Sequence, residues 1–482
     1  MTMALADATV AISRVASGSS ARKTGHDSVS DALRRVADQR QWSNDRGPLG
    51  KVIPSGARVL IKPNLVLHQN EGEAGLDCLV TDASLIQATV EAALQGGAAE
   101  VLVGDAPIQA CDFPSLLQST GLDLWARELS ERDSRFKGMR DFRRTTCVLA
   151  HGVRTAAENL RPEDQFALFD LGKNSLLEAV SRDDKRFRVA WYDPRLMART
   201  HGSGFHRYLV AREVLEADVV INLPKLKTHK KAGITCALKN LIGINGNKEY
   251  LPHHRLGGSA NGGDCYPGRS KVKRALEYVT DRQNLTSGFV AAAFWHGLGS
   301  GFSRISRLQG DRLGVDGSWS GNDTIWRTCL DLNRILYYGK PDGTMASELQ
   351  RRVIHIVDAV IAGQGNGPLA PDPLSLGLIL AGDNPVAVDW VGAHLLAYDP
   401  FKIPLLRHAS ESFRWPLTTF ATSKIRVTGD LGAGSPEAIL PCQRQSVAHP
   451  IGWRDASAEP LQAAPIPDSL GKSYQEPAQS GA

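Results

Sequence analysis

Lys225, Lys227, His229, Lys230 and Lys231 crowd four lysines and a histidine into seven residues, and Lys239-Asn240 follow inside an apolar run. Such a cluster attracts an anion, carboxylate or phosphate, and its imidazole titrates close enough to neutral pH to move a proton. The preceding run Ala217-Asp-Val-Val-Ile-Asn-Leu223 reads as a buried strand that Pro224 stops. The cations then follow the carboxyl end of a strand, where open α/β sheets place their ligands. A solvated basic turn is the alternative reading of 225–231, but it leaves Lys239 and Asn240, set in an apolar helix, unexplained.

Two other strand ends carry polar groups that belong at the same edge. Lys62-Pro63-Asn64 closes one and Gly104-Asp105 another; Pro63 ends the ladder and holds Lys62 extended. A structural turn is the alternative for each. Asp389 lies one turn into an apolar helix, the setting of a buried functional acid. Together these residues predict one site in which Lys62, Asn64, Lys225, Lys227 and Asn240 hold an anionic substrate while His229, Lys239 and Asp389 do the chemistry. The expected chemistry is histidine-mediated proton transfer on an anionic substrate or cofactor. A non-catalytic anion- or carbohydrate-binding scaffold is the competing expectation.

Further along, Pro252-His253-His254-Arg255 and Asp264 offer a metal face through His254 and Asp264, or simply two surface histidines. A histidine-containing set would suit Zn, Fe or Ni, and an all-oxygen set Mg²⁺ or Mn²⁺. The segment from Trp319 to Arg334 combines tryptophans with Asn322, Asp323 and Arg327, a mixture that stacks on sugar rings and binds hydroxyls. A helix cap with an ion pair accounts for it equally well. Gly363-Gln-Gly-Asn-Gly-Pro368 reads as a glycine loop able to present backbone N–H groups to an anion. No P-loop and no correctly placed G-x-G-x-x-G occur, so ATP and NAD are not supported.

These residues need a frame, and the sequence supplies one. Strand patterns at 8–13, 58–62, 100–104, 353–358, 376–380 and 425–428 alternate with helical patterns at 27–42, 83–95 and 385–396, which predicts an α/β fold with a mainly parallel, doubly wound sheet. Residues 250–345 break the pattern and read as an irregular insertion folding over the carboxyl edge as a lid. The parts are therefore 1–249, the insertion 250–345, 346–455 completing the fold, and a disordered tail at 456–482. Across 482 residues, net charge is +5, hydrophobic content 42% and charged content 22%, with no basic patch for nucleic acid. No apolar run is long enough to span a membrane, and the N-terminus lacks a signal-like core, so the cytoplasm is expected. Seven scattered cysteines contain no C-x-x-C pair, so no iron–sulphur cluster is encoded.

The run from Asn222-Leu-Pro-Lys-Leu-Lys-Thr-His229 to Ala237-Leu-Lys-Asn-Leu-Ile-Gly243 resembles the signature of the DUF362 proteins, as do Val59-Leu-Ile-Lys-Pro-Asn-Leu-Val66 and Asp383-Asn-Pro-Val-Ala-Val-Asp389. That family is named for having no assigned function. The spacing of His229, Lys239 and His254 is also similar to that of the nickel-pincer lactate racemases. That likeness implies Lys239 as the tether of a nickel cofactor, His229 as a base and His254 as a third site histidine, and with them racemase, epimerase or redox chemistry on a hydroxy acid or sugar derivative. The racemases' Gly-Gly-Arg-Lys is Cys236-Ala-Leu-Lys here, and their Asp-x-Thr-Arg turn is Lys62-Pro-Asn.

Overall fold

The computed structural model describes residues 3–16, 25–150, 153–182, 184–286, 288–440 and 446–458. Its frame is a ten-stranded sheet. Eight strands form the main path: β1 (Thr9–Arg14), β2 (Arg58–Pro63), β3 (Glu100–Asp105), β4 (Phe136–Asp141), β5 (Val219–Leu223), β8 (Arg352–Asn366), β9 (Ala370–Gly382) and β10 (Arg426–Gly429). Two short strands, β6 (Lys225–His229) and β7 (Gly233–Thr235), attach at the carboxyl edge. The order is β10-β1-β9-β8-β5-β2-β3-β4, and only β9 runs against the others along this path.

The sheet is buried on both sides, and its strands show it residue by residue. Val59 and Ile61 of β2 join one apolar core while Leu60 joins the other; in β5, Val219 and Ile221 face away from Val220 in the same manner. This is why the strands read as continuous apolar runs. On one face lie α1 (Gly25–Gln39) and α2 (Ala83–Gln95), the latter capped by Asp82, whose side chain accepts from Ser84 N at 2.8 Å. On the other lie α6 (Ile325–Tyr338) and α7 (Pro385–Leu395). The α/β fold with a mainly parallel sheet is what the alternating pattern implies.

Several local expectations give way. Residues 225–229 are a strand: past Pro224 the chain re-enters the sheet, β6 pairing parallel with β8 and antiparallel with β7. The apolar helix around Lys239 is a single turn, α3 (Ala237–Asn240). The glycine loop at 363–368 is mostly strand, since β8 stays paired with β9 to Asn366. Residues 250–345 contain α4 (Lys271–Leu285) and α5 (Phe289–Leu308), which pack as a hairpin, and then α6, which shares a core with β5 and α7. Of the tail expected to be disordered, 459–482 lie outside the described residues, while Ser457 bridges to Tyr398. Among the described residues no helix is long and apolar enough to cross a membrane.

Candidate functional site

Strand ends β2, β3 and β5 meet the turn of α3, and the lysines named from the sequence converge here. Each finds a different partner. Lys62 is fully buried, with its ammonium 2.6 Å from Asp105 Oδ1 and donating to Pro63 O (2.9 Å) and Asn240 Oδ1 (3.1 Å). Asp105 also accepts from Leu65 N at 2.7 Å. Asn240 donates in turn to Asn222 Oδ1 at 2.7 Å, and Asn222 reaches His355 Nδ1 at 3.1 Å. Gly243 makes room for this pair, because a Cβ there would lie 2.0 Å from Asp105 Oδ1. Lys225 is 2.6 Å from Asp358 Oδ2 and donates to Ile361 O at 3.1 Å. Lys227 donates to Leu79 O. Asn64 uses its backbone, its N–H bonded to Thr81 Oγ1 at 2.8 Å, while its buried Oδ1 has no partner.

Lys62, Lys225 and Asn240 are therefore matched inside the protein rather than held open for an anion. Burial drives the Lys62 ammonium and the Asp105 carboxyl toward their neutral forms, and each opposes the other's shift. Lys227 is pulled well below the ordinary lysine range by burial and then by Lys225 and Lys239.

Lys239 is different. It is only 9% exposed, yet among the described residues no carboxylate or carbonyl hydrogen-bonds its ammonium. Burial lowers its proton affinity, and Lys62 and Lys231 lower it further. Its one-turn helix is too short to form unaided, so distant residues clamp it. Asp389, on α7, accepts from Ala237 N (2.6 Å) and Leu238 N (3.1 Å), while Asn333 of α6 donates to Leu238 O (2.9 Å). Asp389 thus caps the turn that carries Lys239. Burial pushes its carboxyl up to about 7, against the hydrogen bonds from Cys236 and the two backbone amides.

Two histidines share Lys239's field. His229 accepts at Nδ1 from Lys231 N (3.0 Å) and Ala232 N (3.2 Å), so the neutral ring carries its proton on Nε2. It offers a donor, whereas the sequence suggested a base. His253 is held in the opposite sense: its Nδ1 lies 2.7 Å from Leu251 O, which can only accept, and this leaves Nε2 with a free lone pair. Burial holds both rings neutral, and Lys239 and Lys231 press each of them further down.

The remaining expected residues lie elsewhere or have other work. His254, adjacent to His253, lines a cavity with Arg188, Trp191 and Asp316, and burial pushes it down to about 3. Asp264 is taken up by bonds from Arg255 N, Asp323 N (3.0 Å) and Thr324 Oγ1 (2.5 Å). The two do not form a ligand set, and among the described residues no group of three metal-binding side chains occurs. Asn322 caps α6, accepting from Thr324 N and Ile325 N, and its amide holds His253 O at 2.9 Å. Asp323 and Arg327 pair with each other at 3.0 Å. Trp326 has no free face for a sugar: His408 stacks on it at 4.1 Å and the Arg327 guanidinium lies 4.2 Å from its ring centre.

A pincer-type nickel cofactor does not fit these residues. The histidine matched to its third position faces another cavity, and the Lys62–Asp105 pair fills the space beside Gly243 at the strand ends. His253 is the functional candidate that the sequence passed over. The only signal for it was the alternation of side chains along an extended segment, which separates 253 from 254 without saying which faces the site.

A thylakoid-associated protein of Synechocystis sp. is 24% identical over 374 residues, covering 77% of this chain and 73% of that protein. A crystal structure of a Thermotoga maritima protein aligns at 12% identity, covering 74% of this chain and 55% of that one, with a TM-score of 0.31, too loose to carry an argument. The model of the domain of unknown function DUF362 matches residues 59–151 and 176–394, most of the chain. The chain belongs to the DUF362 family.

Proposed function

We propose that the protein is an acid–base enzyme, acting on a small carboxylate-bearing substrate at Lys239, of the kind that epimerises or racemises a hydroxy or sugar acid. The observation that carries this reading is Lys239, a residue only 9% exposed whose ammonium has no acceptor among the described residues. A cation buried without a counterion costs several kcal/mol, of order 3–5 where a partner has been removed, and an anionic ligand is the group that offsets it. Lys239 then binds the carboxylate. His253 Nε2 takes the proton from the neighbouring carbon and, once the planar intermediate has turned its other face to the ring, returns it, while the His229 Nε2–H stabilises charge developing on oxygen. A bound carboxylate screens His253 from Lys239 and Lys231, raising its proton affinity when substrate is in place. The six described cysteines are buried and none is in a disulfide, which supports action in the reducing cytoplasm.

The test is solvent exchange. A panel of small 2-hydroxy acids and sugar acids is incubated with the protein in D₂O, and loss of the proton on the carbon next to the carboxylate is followed by NMR. Exchange with at least one acid is expected, slowed on the order of 100-fold by His253→Asn, the size of a lost general base. If an acid raises the melting temperature but no proton exchanges, the protein is a binding module. If no acid does either, the carboxylate site is wrong.

A further inference from the structure

Helix α5 is turned inside out. The side that lines the cavity shared with Trp191 is polar, with His296, Ser300, Ser303 and Arg304. Its opposite side carries Val290, Phe294, Leu298, Ile305 and Leu308, spaced by four, four, seven and three residues along one stripe, and all five are exposed. Val290 is 83% exposed, Phe294 64% and Leu308 87%. At 1.5 Å per residue the stripe is about 27 Å long. Scattered apolar side chains on a surface need no explanation, but a continuous stripe does. The spacing would also suit a helix–helix seam, so a second copy of this chain is the rival occupant.

Charge decides between them. The neighbouring helix of the hairpin, α4, exposes Lys271, Arg274, Tyr278 and Arg282 along a single stripe of its own, basic apart from the aromatic Tyr278. Among the described residues Lys271 and Arg274 have no carboxylate partner, and Arg282 lies over the Tyr278 ring at 5.0 Å with its Nε 2.9 Å from the hydroxyl. Two copies meeting across this face would bring basic rows together. An anionic lipid surface accepts both features, headgroups to the cations and acyl chains to the apolar stripe.

We infer that the α4–α5 hairpin docks the protein on the surface of an anionic membrane, lying in the interface without crossing it. The inference is independent of the chemistry at Lys239. It is tested by sedimenting the full chain with vesicles of phosphatidylcholine containing 30 mol% phosphatidylglycerol, and with phosphatidylcholine alone. Binding to the anionic vesicles is expected, weakening steeply with salt. Arg274→Glu should reduce it by more than the roughly five-fold that one basic residue contributes near such a surface. Val290→Asp with Phe294→Asp should abolish it, and because both side chains already face water the variant should melt at the wild-type temperature. The inference is overturned if the anionic vesicles do not bind, or if binding survives the double substitution. It is also overturned if sedimentation velocity shows a dimer that the double substitution dissolves, since the stripe is then a self-interface.

Discussion

Asp389→Asn tests how the turn bearing Lys239 is held, and the sign of its effect should depend on pH. The carboxyl sits in the core, accepts from two backbone amides and has its pKa raised to about 7 by burial. In the unfolded chain an aspartate titrates at about 3.9. A group whose folded pKa is raised contributes stability that is fully present below the unfolded value and lost as pH rises through the folded one. Linkage then gives the wild type about 3 kcal/mol from this group at pH 5 and almost none at pH 8. Asparagine does not titrate, and its amide turns a donor toward one of the two backbone N–H groups, a cost of about 1–3 kcal/mol relative to the neutral acid. At pH 5 the variant should therefore unfold at lower urea than the wild type. At pH 8 the two should be equal, or the variant slightly more stable. Urea unfolding at both pH values, with the slopes checked for equality, reads the difference directly. A gap that stays constant, or that widens as pH rises, would mean that Asp389 is ionised throughout and that the amides outweigh burial.

Three further variants separate a lysine that braces the fold from one that does not. Asp105→Asn strands the Lys62 ammonium in the core and should cost about 3–5 kcal/mol, whereas Lys62→Met with Asp105→Leu should recover most of that loss in a thermal melt. Lys239→Met removes a buried charge that has no internal acceptor, so it should raise stability, by about 0.5–2 kcal/mol, while eliminating any acid-induced shift in melting temperature; a destabilised Lys239→Met would show that the ammonium has a structural partner.

What the sequence disclosed, and what it withheld, follows from the range of the interactions involved. The central strands were legible because burial on both faces leaves an apolar run, as in Val219–Leu223. The start of α2 was legible because Asp82 caps it from the adjacent position. The strand at 225–229 was not, because a run of lysines reads as solvated unless their partners are known. Those partners, Asp358 for Lys225 and Leu79 O for Lys227, are 133 and 148 residues away. The length of α3 failed for the same reason: its clamps, Asp389 and Asn333, come from other helices. Asn322, Asp323 and Arg327 looked like ligand contacts because a cap and an ion pair use the same residue types as a sugar site.

The lysine cluster that first suggests an anion site thus divides under closer accounting. Lys62 and Lys225 each meet a buried carboxylate, Lys231 meets Asp316 at 3.4 Å, and Lys227 meets a carbonyl. The density of cations along the sequence therefore overstates the charge available to a ligand, since acids from other strands and loops cancel most of it. Lys230 and Lys239 remain, and of the two only Lys239 is buried, amid the like charge of its neighbours and two histidines locked in opposite tautomers. A fold selected only for stability would have replaced it with an apolar side chain, because the amide of Asn240 in the same turn is hydrogen-bonded while this ammonium has no acceptor among the described residues. The strength of the functional reading rests on that asymmetry more than on the number of lysines.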